Sequence, residues 1–422
     1  MDCGISAGPG LQSRFVRIVH VLSYVSVGGD YGGPVAVARA QTHELALRGH
    51  DVTLVAGWDG LAELTIPGVH VRLFKVHRIP GLGFAGHFSA AMVRVVRELA
   101  RTADIVHLHC ARDLVQLGSA LTSRSAASVL QSHGMIRSDS RPLARVIDAV
   151  ATRRVLVGAR GHLVLVAGER ADIADVSRGK VSPDQVFAIR NGVPPSQLRA
   201  RWSETDPTVV FVSRLHRRKR PVTFVEMAAV LLSRGHRVRF DLYGSDEGER
   251  GAVEDAIRSR GLSDRVTWRG PLEPQSVLGA MSQSQVFVLP SVDEPFPMAV
   301  LEALSTGLPC VITDKTGISD ELQRARAAIV TDGSTEQLAA AVERLLSSRH
   351  EWEEASAAGR RAADEAFGTQ AMVDALERVY HQVGDERIQE LQPTRLRAGG
   401  SPRPPGPFIP EQKRRVESTR EP

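Results

Sequence analysis

A chain of 422 residues is too long for one hydrophobic core, and with 42% apolar residues it reads as a globular protein of two or more domains. Lys and Arg exceed Asp and Glu by 53 to 48, a net charge of +5 that favours anionic partners without selecting among phosphorylated substrates, nucleic acid and an anionic membrane surface. Cys3, Cys110 and Cys310 offer neither a disulfide framework nor a metal-ligand spacing, and no apolar run reaches the roughly 18 residues of a spanning helix, so the expectation is a cytoplasmic protein that at most lies on the inner face of a membrane.

Residues 1–14 lack a charged segment followed by an apolar core; they are expected to be a disordered N-terminus and not a signal peptide. Apolar runs then alternate with helical patterns. Strands are predicted at 16–22, 51–56, 69–74, 104–109, 127–131, 162–166 and 186–190, with helices near 35–48, 88–101, 112–126, 141–158 and 168–177. Such alternation argues for a parallel sheet with helices on both faces. Asn191-Gly192-Val193-Pro194-Pro195 opens a polar stretch, 192–206, that reads as a hinge, and the pattern restarts. Strands follow near 208–212, 237–242, 264–268, 285–289, 309–313 and 327–331, with helices near 220–234, 249–260, 273–282, 297–306 and 334–347.

The economical architecture is α/β: two tandem Rossmann-like domains, 15–191 and 207–367, whose parallel sheets face a deep inter-domain cleft, the default site. Helical patterns at 350–364 and 369–383 close the fold, with 368–384 a C-terminal helix that can return to the first domain. Seven prolines and several arginines within 391–422 mark a disordered tail.

The stretch Gly28-Gly29-Asp30-Tyr31-Gly32-Gly33-Pro34 sits between the first strand and the first helix. A dinucleotide fingerprint needs Gly-x-Gly-x-x-Gly and an acidic residue at the end of the second strand. Here the glycine spacing differs and Asp51 precedes that strand, so a dehydrogenase is disfavoured. The glycines still let the backbone turn sharply and approach a ligand.

The strongest signal is Ser291-Val292-Asp293-Glu294-Pro295-Phe296-Pro297-Met298-Ala299-Val300-Leu301-Glu302-Ala303-Leu304-Ser305-Thr306-Gly307-Leu308-Pro309. A strand ends, a loop delivers Glu294, and a helix starts near Pro297, where proline suits the first turn. The free N–H groups and positive dipole end of that helix form an anion site at the C-terminal edge of the sheet. Glu302 lies eight residues after Glu294, about 12 Å along a helix axis. Two carboxylates thus flank a place suited to a diphosphate.

This stretch resembles the Glu-x7-Glu motif of family 4 retaining glycosyltransferases, which have the GT-B fold. Other segments resemble the family in the expected order: Gly32-Gly33-Pro34 with Leu45 to Val52, Asp104-Ile105-Val106-His107-Leu108-His109, Gln131-Ser132-His133-Gly134, Arg190-Asn191-Gly192-Val193, Ser213-Arg214-Leu215 with Lys219, and Leu242 to Glu247. The match covers roughly residues 15–382, and the N-domain segments look most like those of exopolysaccharide and capsule enzymes.

The resemblance implies an EC 2.4 hexosyltransferase that takes a sugar from a nucleotide-sugar donor, with UDP as the base on family frequency. It implies that Arg214 and Lys219 clamp the donor diphosphate, that Glu294 holds hydroxyls of the transferred sugar, and that Glu302 holds the ribose. It places His133 near the donor sugar and acceptor. The backbone at Phe296, Met298, Gly32, Gly33 and Gly244 would line the donor, and Asp30, Tyr31 and His109 would face the acceptor. No Asp-x-Asp pair occurs, so neither a metal nor another cofactor is expected. Pro297 stands where many members have glycine, which removes one N–H from the phosphate-facing turn, and Ala327-Ala328 replaces a common glycine-containing turn.

The implied chemistry is front-face attack by an acceptor hydroxyl, with positioning and charge stabilisation supplying most of the acceleration. The acceptor stays open: a carbohydrate or lipid-linked acceptor in polysaccharide biosynthesis, or a small cyclitol or natural product. Arg141, Arg145, Arg153 and Arg154 on an apolar helix could rest on anionic lipid as a peripheral contact. A GT-B phosphorylase or sugar-phosphate synthase is the nearest rival. An epimerase lacks its Tyr-x-x-x-Lys pair, and with aromatics at 5% no nucleic-acid partner is expected.

Overall fold

The computed structural model describes residues 15–25, 32–61, 64–138 and 142–391. The segments 1–14 and 392–422, assigned above to disordered ends, lie outside the described residues, as do Asp30 and Tyr31.

The first half builds one sheet from β1 (Arg17–Val25), β2 (Asp51–Trp58), β3 (His70–Lys75), β6 (Ile105–His109), β7 (Ala127–Gln131), β8 (Gly161–Val164) and β9 (Val186–Ala188). Its order is β3-β2-β1-β6-β7-β8-β9, parallel throughout. Between β3 and β6 a short antiparallel pair, β4 (His77–Arg78) and β5 (His87–Phe88), interrupts the pattern. The second half builds β10 (Thr208–Val212), β11 (Arg239–Tyr243), β12 (Val266–Trp268), β13 (Val286–Leu289), β14 (Cys310–Thr313) and β15 (Ala328–Thr331), ordered β12-β11-β10-β13-β14-β15 and again parallel. Each sheet reverses its strand order beside its first strand, which opens a crevice beyond the strand ends.

The central strands read as continuous Val, Ile and Leu because both faces are covered. In the first sheet Val19, Val21, Val106 and Leu108 pack on one side against Met92, Val96, Val115 and Leu156. Ile18, Ile105 and Val129 pack on the other, against Leu45 and against Met372, Val373, Leu376, Val379, Tyr380 and Val383 of the closing helix Thr369–Leu391. That helix is thus part of the first sheet's core. Glu377 fastens it, 2.7 Å from Arg48 and 2.8 Å from His50.

Three local expectations are corrected. The helix predicted from 35 runs Gly32–Leu47, so Gly32 and Gly33 form its first turn and not the preceding loop. The helix predicted over 141–158 is two segments, Pro142–Ile147 and Arg153–Gly158, joined by a wide π turn at Asp148–Thr152, where Asp148 turns inward to Arg112 at 2.7 Å. Pro297 caps its helix from outside, the first helical residue being Met298.

The chain crosses between the two sheets at Val193 and returns at Gly368, and the two crossings are themselves paired. Val193 N–H donates to Phe367 O at 2.8 Å, and Thr369 N–H to Val193 O at 3.3 Å. A Cβ on Gly192 would lie 2.7 Å from Thr369 Cα, so only glycine lets the two segments lie so close.

Candidate active site

The second sheet supplies a charged wall. After β13 the backbone bends through Asp293, at φ 52°, and Glu294 bridges to Thr316. Gly317 N–H donates to Glu294 O at 2.8 Å, which fixes the loop. The Glu294 carboxylate forms an ion pair with Lys219, each side chain only 12% exposed. Burial lowers the Lys219 ammonium pKa despite the attraction of Glu294.

Beyond this pair lies the mouth of the helix Met298–Thr306. Val300 N–H reaches Pro297 O at 3.1 Å, leaving the Met298 and Ala299 amides at the open end. Phe296 is buried, edge-on to Phe367 at 6.2 Å, so only its backbone can line the site. Glu302 sits within the same helix, where burial pushes its carboxyl up to about 7.

Arg214 and Lys219 have separate partners: Arg214 is exposed and pairs with Glu247, so the expected clamp is two ion pairs in this state. Gly244 is fixed by close approach, because a Cβ there would meet Ser213 O at 1.9 Å.

The first sheet brings a neutral imidazole to the cleft beside charged groups. His133 stands at the end of β7 with φ 49°, a left-handed conformation that disfavours a side chain. The residue is half-buried, and burial lowers the pKa of its ring to about 3. Glu169, which sequence reasoning missed, holds this turn: its buried carboxylate accepts from Ser132 Oγ at 2.7 Å and Gly134 N–H at 3.1 Å. A lone Glu after an apolar strand gives no local signal of that partnership.

His109, expected to face the acceptor, is instead fully buried behind His133, with 2.9 Å between its Nδ1 and His133 Nε2. The surrounding protein covers any path from His109 to an acceptor. Gly33 lies exposed in the first turn of its helix, with open space about its Cα.

The two walls meet at their strand ends. Arg137 Nη1 lies 3.3 Å from Asp293, and a Cβ on Gly317 would lie 2.7 Å from Val166 Cγ1. A cavity of about 400 Å³ is left between them, lined by Arg137, Glu169 and Asp172 on one side and Asp293, Glu294 and Lys315 on the other.

Among the described residues, His20, His107 and His109 have ring nitrogens within 4.8 Å of one another. The rings of His107 and His109 are within 12° of parallel, so their in-plane lone pairs lie in separate planes and do not converge on one ion. In the described residues no helix is long and apolar enough to cross a membrane.

Comparison with known proteins gives a consistent result. Residues 32–192 match the family described as "Glycosyl transferase 4-like domain", and residues 197–364 match "Glycosyl transferases group 1". The chain is 30% identical over 191 residues to an alpha-D-kanosaminyltransferase of Streptomyces kanamyceticus, an alignment covering 45% of this chain and 49% of that relative. It is 25% identical over 412 residues to a D-inositol 3-phosphate glycosyltransferase of Rhodococcus erythropolis, covering 87% and 90% respectively. Among solved structures, Anabaena HepE in complex with UDP superposes with a TM-score of 0.65 at 16% identity, covering 88% of this chain and all of that one, 100%.

Proposed function

Because the chain belongs to the GT-B glycosyltransferases of family 4 type, we propose that it transfers a hexosyl group from a UDP-sugar to a hydroxyl of a small cyclitol-type acceptor, with retention of the anomeric configuration. The observation that carries this reading is the Glu294–Lys219 pair beside the mouth of the helix Met298–Thr306, across the cleft from His133. UDP is supported by the HepE complex of the same fold. The small acceptor is supported by the relative aligned along most of its length, whose name specifies an inositol phosphate, and by the modest cavity between the walls.

In this reading Glu294, held by Lys219, accepts hydrogen bonds from sugar hydroxyls, and Glu302 accepts from the ribose. Arg214, Lys219 and the Met298 and Ala299 amides face the diphosphate, with the Gly33 backbone closing from the opposite side. These cationic and dipolar groups offset the charge of the leaving nucleotide, so the scheme requires no metal. The acceptor oxygen forms its bond to the anomeric carbon on the face from which UDP departs. As the bond from that carbon to the β-phosphate oxygen breaks, the hydroxyl proton passes to the departing phosphate.

Incubation with a panel of nucleotide sugars and inositol phosphates tests this. UDP release that depends on the acceptor, with a product of unchanged anomeric configuration by NMR, is expected. Lack of thermal stabilisation by every nucleoside diphosphate would refute it, and phosphate-dependent breakdown of a glycoside would identify a phosphorylase instead.

A lipid-linked acceptor is favoured by a different feature. Leu143, Val146, Val150 and Val157 are exposed along 142–158, flanked by exposed Arg145 and Arg154, a pattern suited to an anionic bilayer surface. Co-sedimentation with phosphatidylglycerol vesicles, lost on Val146→Asp, would support that reading; absence of binding would dismiss it.

A further inference from the structure

Beside the cleft cavity, and meeting it at Ser138, is a second cavity of about 490 Å³ that the proposed chemistry leaves unused. It opens between the wide π turn Asp148–Thr152 and the end of the helix Ala167–Ser177. Three arginines line it: Arg145 and Arg153 from either side of the π turn, and Arg178 from just past the end of the other helix.

The charge at this place is positive. Two carboxylates, Asp148 and Asp175, also line the pocket. Asp148 is taken up by Arg112, which holds it through Nε at 2.7 Å and Nη2 at 3.0 Å. Asp175 accepts from Ser138 Oγ at 3.3 Å. Arg153 Nε donates to Val176 O at 3.2 Å, which fixes its stem and leaves its two Nη groups for a ligand. Arg145 and Arg178 are exposed and have no carboxylate partner among the described residues. With Arg112 counted, four guanidinium groups stand against two carboxylates, an excess that suits an anion. The planar guanidinium fork matches the oxygens of a phosphate.

The surroundings of these arginines are apolar, which a free ion would not use. Val146, Ala149 and Val176 line the pocket. Leu143, Val146 and Val150 stand exposed on the segment that carries Arg145. Large aliphatic side chains in water beside a cationic pocket describe a ligand with a phosphate at one end and hydrocarbon at the other.

We propose that this pocket seats the phosphate of an anionic lipid headgroup, with Leu143, Val146 and Val150 against the first methylenes of its chains. This goes further than a general attraction of 142–158 for a bilayer. Arg178 lies outside that segment, and is needed only when the headgroup enters the pocket. A headgroup seated there stands at Ser138, next to the cleft cavity. The seat does not depend on the transfer chemistry proposed above.

Calorimetry with dihexanoyl-phosphatidylglycerol, kept below its micelle concentration and without nucleotide sugar, tests the seat on the full chain. A monomeric lipid has no membrane surface potential, so charges away from the pocket contribute little. One lipid per chain is expected to bind. Arg178→Gln should weaken it about tenfold or more, through the loss of a charge-assisted hydrogen bond. Arg154→Gln removes the same charge from outside the pocket and should change the affinity by no more than about twofold.

Equal losses in the two variants would overturn the proposal in favour of diffuse attraction, and absence of saturable binding would overturn it outright. Glycerophosphoglycerol, the same headgroup without chains, is expected to bind at least about tenfold more weakly; equal affinity would replace the lipid with a soluble phosphate ester. If Arg178→Gln fails to fold, Arg145→Gln takes its place in the comparison. The expected ranking in a chain that shows no transfer activity would fault the functional reading and not this one.

Discussion

The two walls of the cleft differ in how their polar groups are held. On the second sheet the groups are ionic: Glu294 with Lys219, and Arg214 with Glu247. On the first sheet Arg137, Glu169 and Asp172 line the cavity, and His133 is a neutral imidazole with buried imidazoles behind it. A charged wall offsets the charge of a leaving diphosphate and is sensitive to removal of either partner. A neutral imidazole has orientation to offer.

The sharpest way to break this contrast is Glu294→Ala. We expect transfer to fall about 10³-fold, with stability falling too, because removing one partner of a buried pair leaves the other uncompensated. The double variant Glu294→Gln with Lys219→Met should recover the denaturation midpoint without recovering the rate. Full activity in Glu294→Ala would refute the assignment of the charged wall.

His133→Ala comes next, with an expected loss of about 10²-fold in kcat and unchanged affinity for UDP by calorimetry. Weaker UDP binding would show that the first-sheet wall holds the nucleotide as well.

Glu302→Gln should act mostly on binding, weakening UDP about tenfold through the loss of a charged acceptor. It carries a pH signature as well. The folded-state pKa of Glu302 is raised from 4.5 to about 7 by burial, so between those values the folded state holds the extra proton and stability declines as pH rises. Glu302→Gln should therefore be more stable than wild type at pH 8, by at most about 3 kcal/mol, and close to it at pH 4. A thermal-melt series across that range checks the sign.

The smallest effect is expected at Asp113, which caps the helix Leu114–Thr122 by accepting from Gln116 N–H at 3.0 Å and also accepts from Ser23 Oγ at 2.8 Å. Burial raises its pKa from 3.8 to about 7, so stability again falls with rising pH across that window. Asp113→Asn should keep the cap and flatten that part of the stability profile, without touching transfer.

Much of the architecture was legible because each long element carries its own period. β4, β5 and the helix Ser319–Arg324 were not, being too short to show one. At the site, Glu294, Glu302 and the helix between them were readable as one contiguous motif. The partnerships were not: Lys219 reaches Glu294 across 75 positions and Tyr380 reaches His107 across 273. Glycine spacing showed where the first turn lay, but not that Gly32 and Gly33 belong to the helix. His109 looked like a strand-end residue open to a ligand, and only the packing of His133 over it reveals that it is covered. A His in alternate register on two adjacent apolar strands, as at His20 and His107, is a signal that could have been used.

The paired crossings at Val193 and Gly368 bear on how such a cleft can move. A single connecting strand is a tether, free to swivel about its own axis as well as to bend. Two strands side by side, tied by Val193 N–H to Phe367 O and Thr369 N–H to Val193 O, behave as the leaf of a door hinge: twisting shears both hydrogen bonds, whereas bending across the ribbon shears neither. A rotation of one wall against the other is thereby restricted to the bend across this ribbon, which keeps the register of Glu294 and His133.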